Sequence, residues 1–82
     1  MVTIWGRPGC GWCDKAREIC VQYNIKYEYI SADTQEKIAE LRELVPGVKT
    51  VPQIFWNNRY IGGYEKLAEE IENTRNFGQE TL

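Results

Sequence analysis

The chain has 82 residues, with 10 Lys+Arg against 12 Asp+Glu and no histidine. That length admits one small domain with a marginal core, and the slightly acidic balance gives no footing for nucleic-acid binding. Without histidine there is no Ser-His or Cys-His catalysis, no mixed Cys/His zinc site and no imidazole proton shuttle.

Residues 2–5 (Val-Thr-Ile-Trp) form a β-branched and aromatic run that ends at Gly6, and they predict a strand. Arg7-Pro8-Gly9 is a loop. From Gly11 the apolar residues fall at Trp12/Cys13, Ala16, Ile19/Cys20 and Tyr23, which is helical spacing, and Asn24 ends that helix. Residues 26–30 predict a second strand, and Asp33 or Thr34 can cap a second helix. That helix runs to about Val45 with Ile38, Leu41, Leu44 and Val45 inward, and Pro46-Gly47 stops it. Residues 51–56 predict a strand entered through Pro52. Asn57-Asn58 predicts a hairpin turn because asparagine tolerates positive φ, and residues 59–61 return. Gly62-Gly63 precedes a last helix from Tyr64 to about Phe77, and residues 78–82 are expected to fray.

The order β-α-β-α-β-β-α defines one α/β domain over residues 1–82. Two strands that flank a helix are expected to pair in parallel and the last two to form an antiparallel hairpin. The prediction is a four-stranded mixed sheet with helices on both faces. No apolar run approaches the roughly 18 residues of a membrane span. Met1 leads directly into the first strand instead of a signal peptide, so a cytoplasmic, membrane-free setting is expected.

Cys10, Cys13 and Cys20 are the three cysteines. An odd number bunched in one quarter of the chain is a poor disulfide framework, and three thiols fall short of an all-cysteine zinc site. No metal site is therefore expected. The pair Cys10-Gly11-Trp12-Cys13 reads as a redox dithiol. Cys10 precedes the first helix, where outward N–H groups and the positive dipole end favour a thiolate. Arg7 and Lys15 add positive charge nearby, whereas Asp14 opposes it. Cys13 lies one turn further in and is expected to be less exposed. Cys10 is thus the expected attacker of a disulfide and Cys13 the resolver of the mixed disulfide. Cys20 lies two helical turns beyond Cys13, about 10 Å away, out of bonding reach and on the core side.

With these residues in hand the chain resembles a glutaredoxin, of the small bacterial and phage dithiol type. The motifs that carry the resemblance are Gly6-Arg7-Pro8-Gly9-Cys10-Gly11-Trp12-Cys13, then Thr50-Val51-Pro52-Gln53-Ile54-Phe55, then Ile61-Gly62-Gly63-Tyr64. The resemblance implies a thioredoxin-like fold and reduction of protein disulfides and glutathione mixed disulfides, with glutathione as reductant. It implies a cis Pro52 facing the dithiol and a Val51 backbone that pairs with the cysteinyl part of glutathione. It makes Arg7 and Lys49 candidates for the glycyl carboxylate, Trp12 the apolar wall beside the sulfur, and Thr50 part of the same groove. Gly63, Tyr64 and Glu65, at the start of the last helix, are expected to hold the γ-glutamyl end. The implied partners are disulfide-containing or glutathionylated proteins, ribonucleotide reductase among them, and the chain is expected to act as a monomer.

Three positions, in two places, depart from the family pattern. Gly11-Trp12 replaces the usual Pro-Tyr between the cysteines, and Lys66 stands where an acid or its equivalent usually follows position 65. Cys-Gly-aromatic-Cys also resembles glutaredoxins that carry a [2Fe-2S] cluster between two protomers. Those usually have a longer loop and a lysine before the motif, and here the approach is the short Arg7-Pro8-Gly9. A cluster is therefore not the expected cofactor. The alternatives are that cluster carrier, a thioredoxin-like electron donor served by a reductase, and a binding module without redox chemistry.

Overall fold

The computed structural model describes the backbone of residues 1–80 and the side chains of residues 1–73. Its elements are β1 (Val2–Gly6), α1 (Gly11–Gln22), β2 (Tyr27–Ser31), α2 (Gln35–Leu44), β3 (Gln53–Trp56), β4 (Arg59–Gly62) and α3 (Tyr64–Glu80). The sheet order is β2-β1-β3-β4, with β1 and β2 parallel and the other two pairs antiparallel. This is the mixed four-stranded sheet that the order of elements predicts. No helix among the described residues is long and apolar enough to cross a membrane.

Alternation along the central strands builds two cores, one on each face. Val2, Ile4 and Ile54 point to one face and pack with Ala16 and Cys20 of α1 and with Leu67 and Ile71 of α3. Trp5 and Phe55 point to the other and pack with Ala32 and Leu41, next to Ile38 of α2. Ile4 lies directly opposite Ile54 in the β1–β3 ladder, and both are fully buried. Each such side chain contributes about 1.5–3 kcal/mol relative to exposure. A domain this small depends on a few such pairs.

The turns follow from their residues. Asn24, Asn57 and Asn58 all have positive φ (58°, 51° and 67°), so Asn24 ends α1 and the Asn57-Asn58 pair makes the predicted hairpin turn. Thr34, not Asp33, caps α2, its hydroxyl accepting the Lys37 N–H at 3.2 Å.

Other expectations need correction. Trp12 is 54% exposed and not on the packed side of α1, because its 3.6-residue position falls outside the arc that Cys13, Ala16 and Cys20 bury. Leu44 is likewise 53% exposed, since α2 ends there and Val45 turns in as its cap. The third strand begins at Gln53 instead of Val51, because Pro52 has no N–H for the ladder. Helix α3 continues to Glu80, past the expected limit at Phe77, so residues 78–80 of the expected tail are helical; residues 81–82 lie outside the described residues.

Topology gathers three loops at one end of the sheet. The C-terminal end of β1 leads into the Arg7–Cys10 segment. Because β3 runs antiparallel with Trp5 opposite Gln53, the residues just before β3, Val51 and Pro52, lie beside that segment. Gly62, at the end of β4, pairs with Ile54, so the start of α3 arrives at the same end.

Candidate active site

Cys10 is the N-cap of α1, and its Sγ accepts the N–H of Cys13 at 3.2 Å. Its own carbonyl accepts the first helical bond, from the Asp14 N–H at 3.1 Å. Cys10 and Cys13 are joined as a disulfide, with Cα atoms 5.2 Å apart. Cys10 is half-buried, whereas Cys13 is fully buried. In a reduced pair, the capping N–H and the helix N-terminus would favour thiolate on Cys10. Only that sulfur is open to an incoming disulfide.

The charges around the pair are arranged unequally. Asp14 forms an ion pair with Arg17, which raises the guanidinium above its ordinary range and occupies the carboxylate that would oppose a thiolate. Lys15 lies over the Trp12 ring, 4.5 Å from its centroid, and so stays near the mouth of the site. Cys20, fully buried in the core, has its thiol pushed up to about 11 by burial. It is inert packing, as its place in the sequence predicts.

The Val51–Pro52 bond is cis, as the resemblance implies. The Val51 carbonyl oxygen lies 3.8 Å from Cys10 Sγ. A groove beside the dithiol is lined by Trp12, Thr50, Val51, Gly63, Tyr64 and Glu65, with Pro52 at its base. These are seven of the residues singled out from the sequence, and the fold brings them together. Trp12 tilts against Tyr64 with ring centroids 5.5 Å apart, so the two form one aromatic wall. Gly62 has φ +118°, which only glycine adopts readily, and this turns the chain into α3. The Leu67 N–H bonds to the Gly63 carbonyl at 3.1 Å, leaving the N–H groups of the first turn of α3 at the groove. Lys66 lines the same groove and is paired with Glu69 at 3.4 Å.

Arg7 and Lys49 stand apart from this groove. Both line a second hollow, on the α2 side of Val51, and the two hollows share only Thr50 and Val51.

Three residues with no role assigned from the sequence complete the site. Gln53 is almost buried. Its Nε2 donates to the Thr50 carbonyl at 2.9 Å and to the Thr50 hydroxyl at 3.3 Å, while its Oε1 accepts the Tyr60 hydroxyl at 2.6 Å. It thus braces the Thr50–Val51 segment against β4. A polar residue within an otherwise apolar central strand is the signal that could have singled it out. Gly6 is the third: a Cβ there would stand 2.3 Å from the Tyr29 hydroxyl and 2.9 Å from Cys13 Sγ, so only glycine leaves room beneath the resolving sulfur.

Comparison with known proteins agrees with this geometry. The family model described as Glutaredoxin matches residues 2–61. Glutaredoxin 1 of Salmonella typhimurium is 38% identical over 82 aligned residues, covering 87% of this chain and 93% of its own. The structure of reduced Escherichia coli glutaredoxin superposes with a TM-score of 0.76 at 27% identity, covering 92% of this chain and 96% of that one. Glutaredoxin 1 of Francisella tularensis, solved with cacodylate, gives 0.75 at 27% identity, covering 92% and 95%.

Proposed function

The chain belongs to the glutaredoxin family of thiol-disulfide oxidoreductases, and on that premise we propose that glutathione is its reductant. The observation that carries the reading is the N-cap position of Cys10, half-open beside the Val51 backbone, over a buried Cys13.

In the forward reaction the Cys10 thiolate attacks one sulfur of a substrate disulfide. A Cys10–substrate disulfide forms, and the other substrate sulfur leaves as a thiolate that takes up a proton. Cys13, losing its proton, then attacks Cys10 Sγ, releasing the second substrate thiol and forming the Cys10–Cys13 disulfide. One glutathione thiolate opens that bond at Cys10, giving a Cys10–glutathione disulfide and a Cys13 thiol. A second glutathione takes the first away as glutathione disulfide. The balance is one substrate disulfide and two glutathiones converted to two substrate thiols and one glutathione disulfide. Glutathione mixed disulfides need only Cys10.

In this reading the cysteinyl backbone of glutathione pairs with Val51, flanked by Thr50 and Pro52, and its apolar stem lies against Trp12. The γ-glutamyl end meets Gly63, Tyr64 and Glu65 at the start of α3, and the glycyl carboxylate turns to Arg7 and Lys49. The protein acts as a monomer in the cytoplasm, where dithiols are kept reduced, and ribonucleotide reductase is among its protein substrates.

The test is turnover of a glutathionylated peptide with NADPH, glutathione and glutathione reductase. Turnover in that system, with none when thioredoxin reductase replaces the glutathione couple, supports the reading. The reverse result refutes it.

A further inference from the structure

Cys13 is the fully buried member of the dithiol, yet it must lose a proton to resolve a mixed disulfide and regain one when the dithiol is reduced. A buried thiol does not meet water directly, and a thiolate formed there without a hydrogen-bond partner is costly. The chain has no histidine to carry that proton.

Tyr29 of β2 is the polar side chain at this spot. The point where a Gly6 Cβ would stand is 2.3 Å from the Tyr29 hydroxyl oxygen and 2.9 Å from Cys13 Sγ. The oxygen and the sulfur are therefore separated by no more than the sum of those distances, about 5 Å, across the bare face of Gly6. Opening the disulfide frees the Cys13 side chain to change rotamer, so the sulfur can close on the hydroxyl. On its other side the hydroxyl donates to the Arg7 carbonyl at 3.3 Å, longer than the roughly 2.5–3.0 Å of a good O–H···O bond. That bond is weak enough to exchange, and Arg7 is exposed, so this side of the hydroxyl faces water.

The surroundings hold the ring in place. Arg17 of α1 lies over it, 4.5 Å from the centroid, with Asp14 paired to the guanidinium, and Ile4 of β1 stands at the paired position. Phenylalanine would fill the same space. The polar character continues at Ser31, opposite Gly6 on the same face of the sheet, whose buried Oγ has no hydrogen-bond partner among the described residues.

We infer that the Tyr29 hydroxyl relays the proton of Cys13. As Cys13 attacks Cys10 Sγ, its proton passes to the Tyr29 oxygen, and the hydroxyl gives its own proton to water at the Arg7 side. The S–S bond to Cys10 forms and the substrate thiolate leaves, taking a proton from water. When a thiol reopens the dithiol at Cys10, the Cys13 thiolate is reprotonated by the same route. The inference rests on the assignment of Cys13 as resolver made above.

Stopped-flow mixing of the reduced protein with an equimolar amount of dithiobis(nitrobenzoic acid) tests it without glutathione. Attack by Cys10 releases one thionitrobenzoate, and resolution by Cys13 releases a second. Tyr29→Phe should leave the first release unchanged and slow the second about ten-fold at pH 7. The slowing should shrink as pH is raised, because hydroxide then takes the proton directly. An equally fast second release in Tyr29→Phe would overturn the inference. So would a defect that is the same at every pH or that appears in the first release as well, since packing alone would produce either. Cys13→Ser should give one release only. A second release in that variant would refute Cys13 as resolver and the relay with it, whereas its absence there with no effect of Tyr29→Phe would refute the relay alone.

Discussion

Cys10 Sγ and the carbonyl oxygen of Val51 lie 3.8 Å apart, although 41 residues separate them in the chain. Antiparallel pairing of β1 with β3 produces this meeting, because Trp5 opposite Gln53 sets the end of one strand beside the start of the other. The nucleophile is therefore held by a helix cap on one side and by an unpaired stretch of backbone on the other. Any change that loosens either support should be felt in turnover before it is felt in the fold.

Gly6→Ala is the sharpest steric test. The added Cβ meets the Tyr29 hydroxyl at 2.3 Å, the ring carbon that bears it at 2.7 Å and Cys13 Sγ at 2.9 Å. Overpacking of this kind costs about 1–3 kcal/mol. Urea denaturation should show that loss, and the coupled assay should show slower turnover of protein disulfides as the resolving sulfur is pushed aside. Adding Tyr29→Phe should recover part of the stability, since it removes the nearest atom.

Gln53→Leu should leave the Thr50 carbonyl and the Tyr60 hydroxyl without their partner. The expected loss is about 1–3 kcal/mol, accompanied by a higher KM for a glutathionylated peptide because the Thr50–Val51 segment is no longer braced. Tyr60→Phe removes one of these bonds and should cost about 0.5–1.5 kcal/mol with a smaller change in KM. Thermal unfolding and steady-state kinetics on both variants distinguish the two effects.

Trp12→Ala separates binding from folding. The ring is mostly exposed, tilted against Tyr64 and covered by Lys15. Its loss should change stability by less than about 1 kcal/mol. It should raise KM for glutathione mixed disulfides several-fold while kcat holds. A large drop in melting temperature with no change in KM would show that the ring serves the fold instead.

Much of the site was legible in the sequence because its geometry is local. The Cys10 cap, the Asn57-Asn58 turn and the Gly62 turn each follow from one or two residues in a fixed backbone setting. The mixed sheet, with a parallel β1–β2 pair and an antiparallel β3–β4 hairpin, followed from the order of elements, whereas the central β1–β3 pairing did not. What was not legible depends on packing between segments distant in sequence. The Gln53 brace joins Thr50 to Tyr60, and the space above Gly6 is set by Tyr29 from the neighbouring strand. The exposure of Trp12 and Leu44 likewise depends on how wide an arc of each helix the sheet covers. Apolar spacing predicts the direction of that arc but not its width.

Cys20 gives the expected dependence on pH. Burial raises its thiol from 9.0 to about 11, so the folded protein holds the proton that the unfolded chain releases. The stability from this group is fully present below pH 9.0 and is lost as pH rises from there through about 11. Cys20→Ala should flatten that part of the stability profile relative to the unaltered protein. In the folded, reduced protein at pH 7, iodoacetamide should label Cys10 first and leave Cys20 untouched until denaturant is added.

The division of labour between the two cysteines is tested most directly by trapping. Cys13→Ser and Cys10→Ser are each incubated with glutathione disulfide at pH 7, and the adducts are mapped by mass spectrometry. The half-open, capped Cys10 should carry one glutathione in Cys13→Ser, and the buried Cys13 should carry almost none in Cys10→Ser. Equal or faster adduct formation at Cys13 would contradict Cys10 as the attacking thiol.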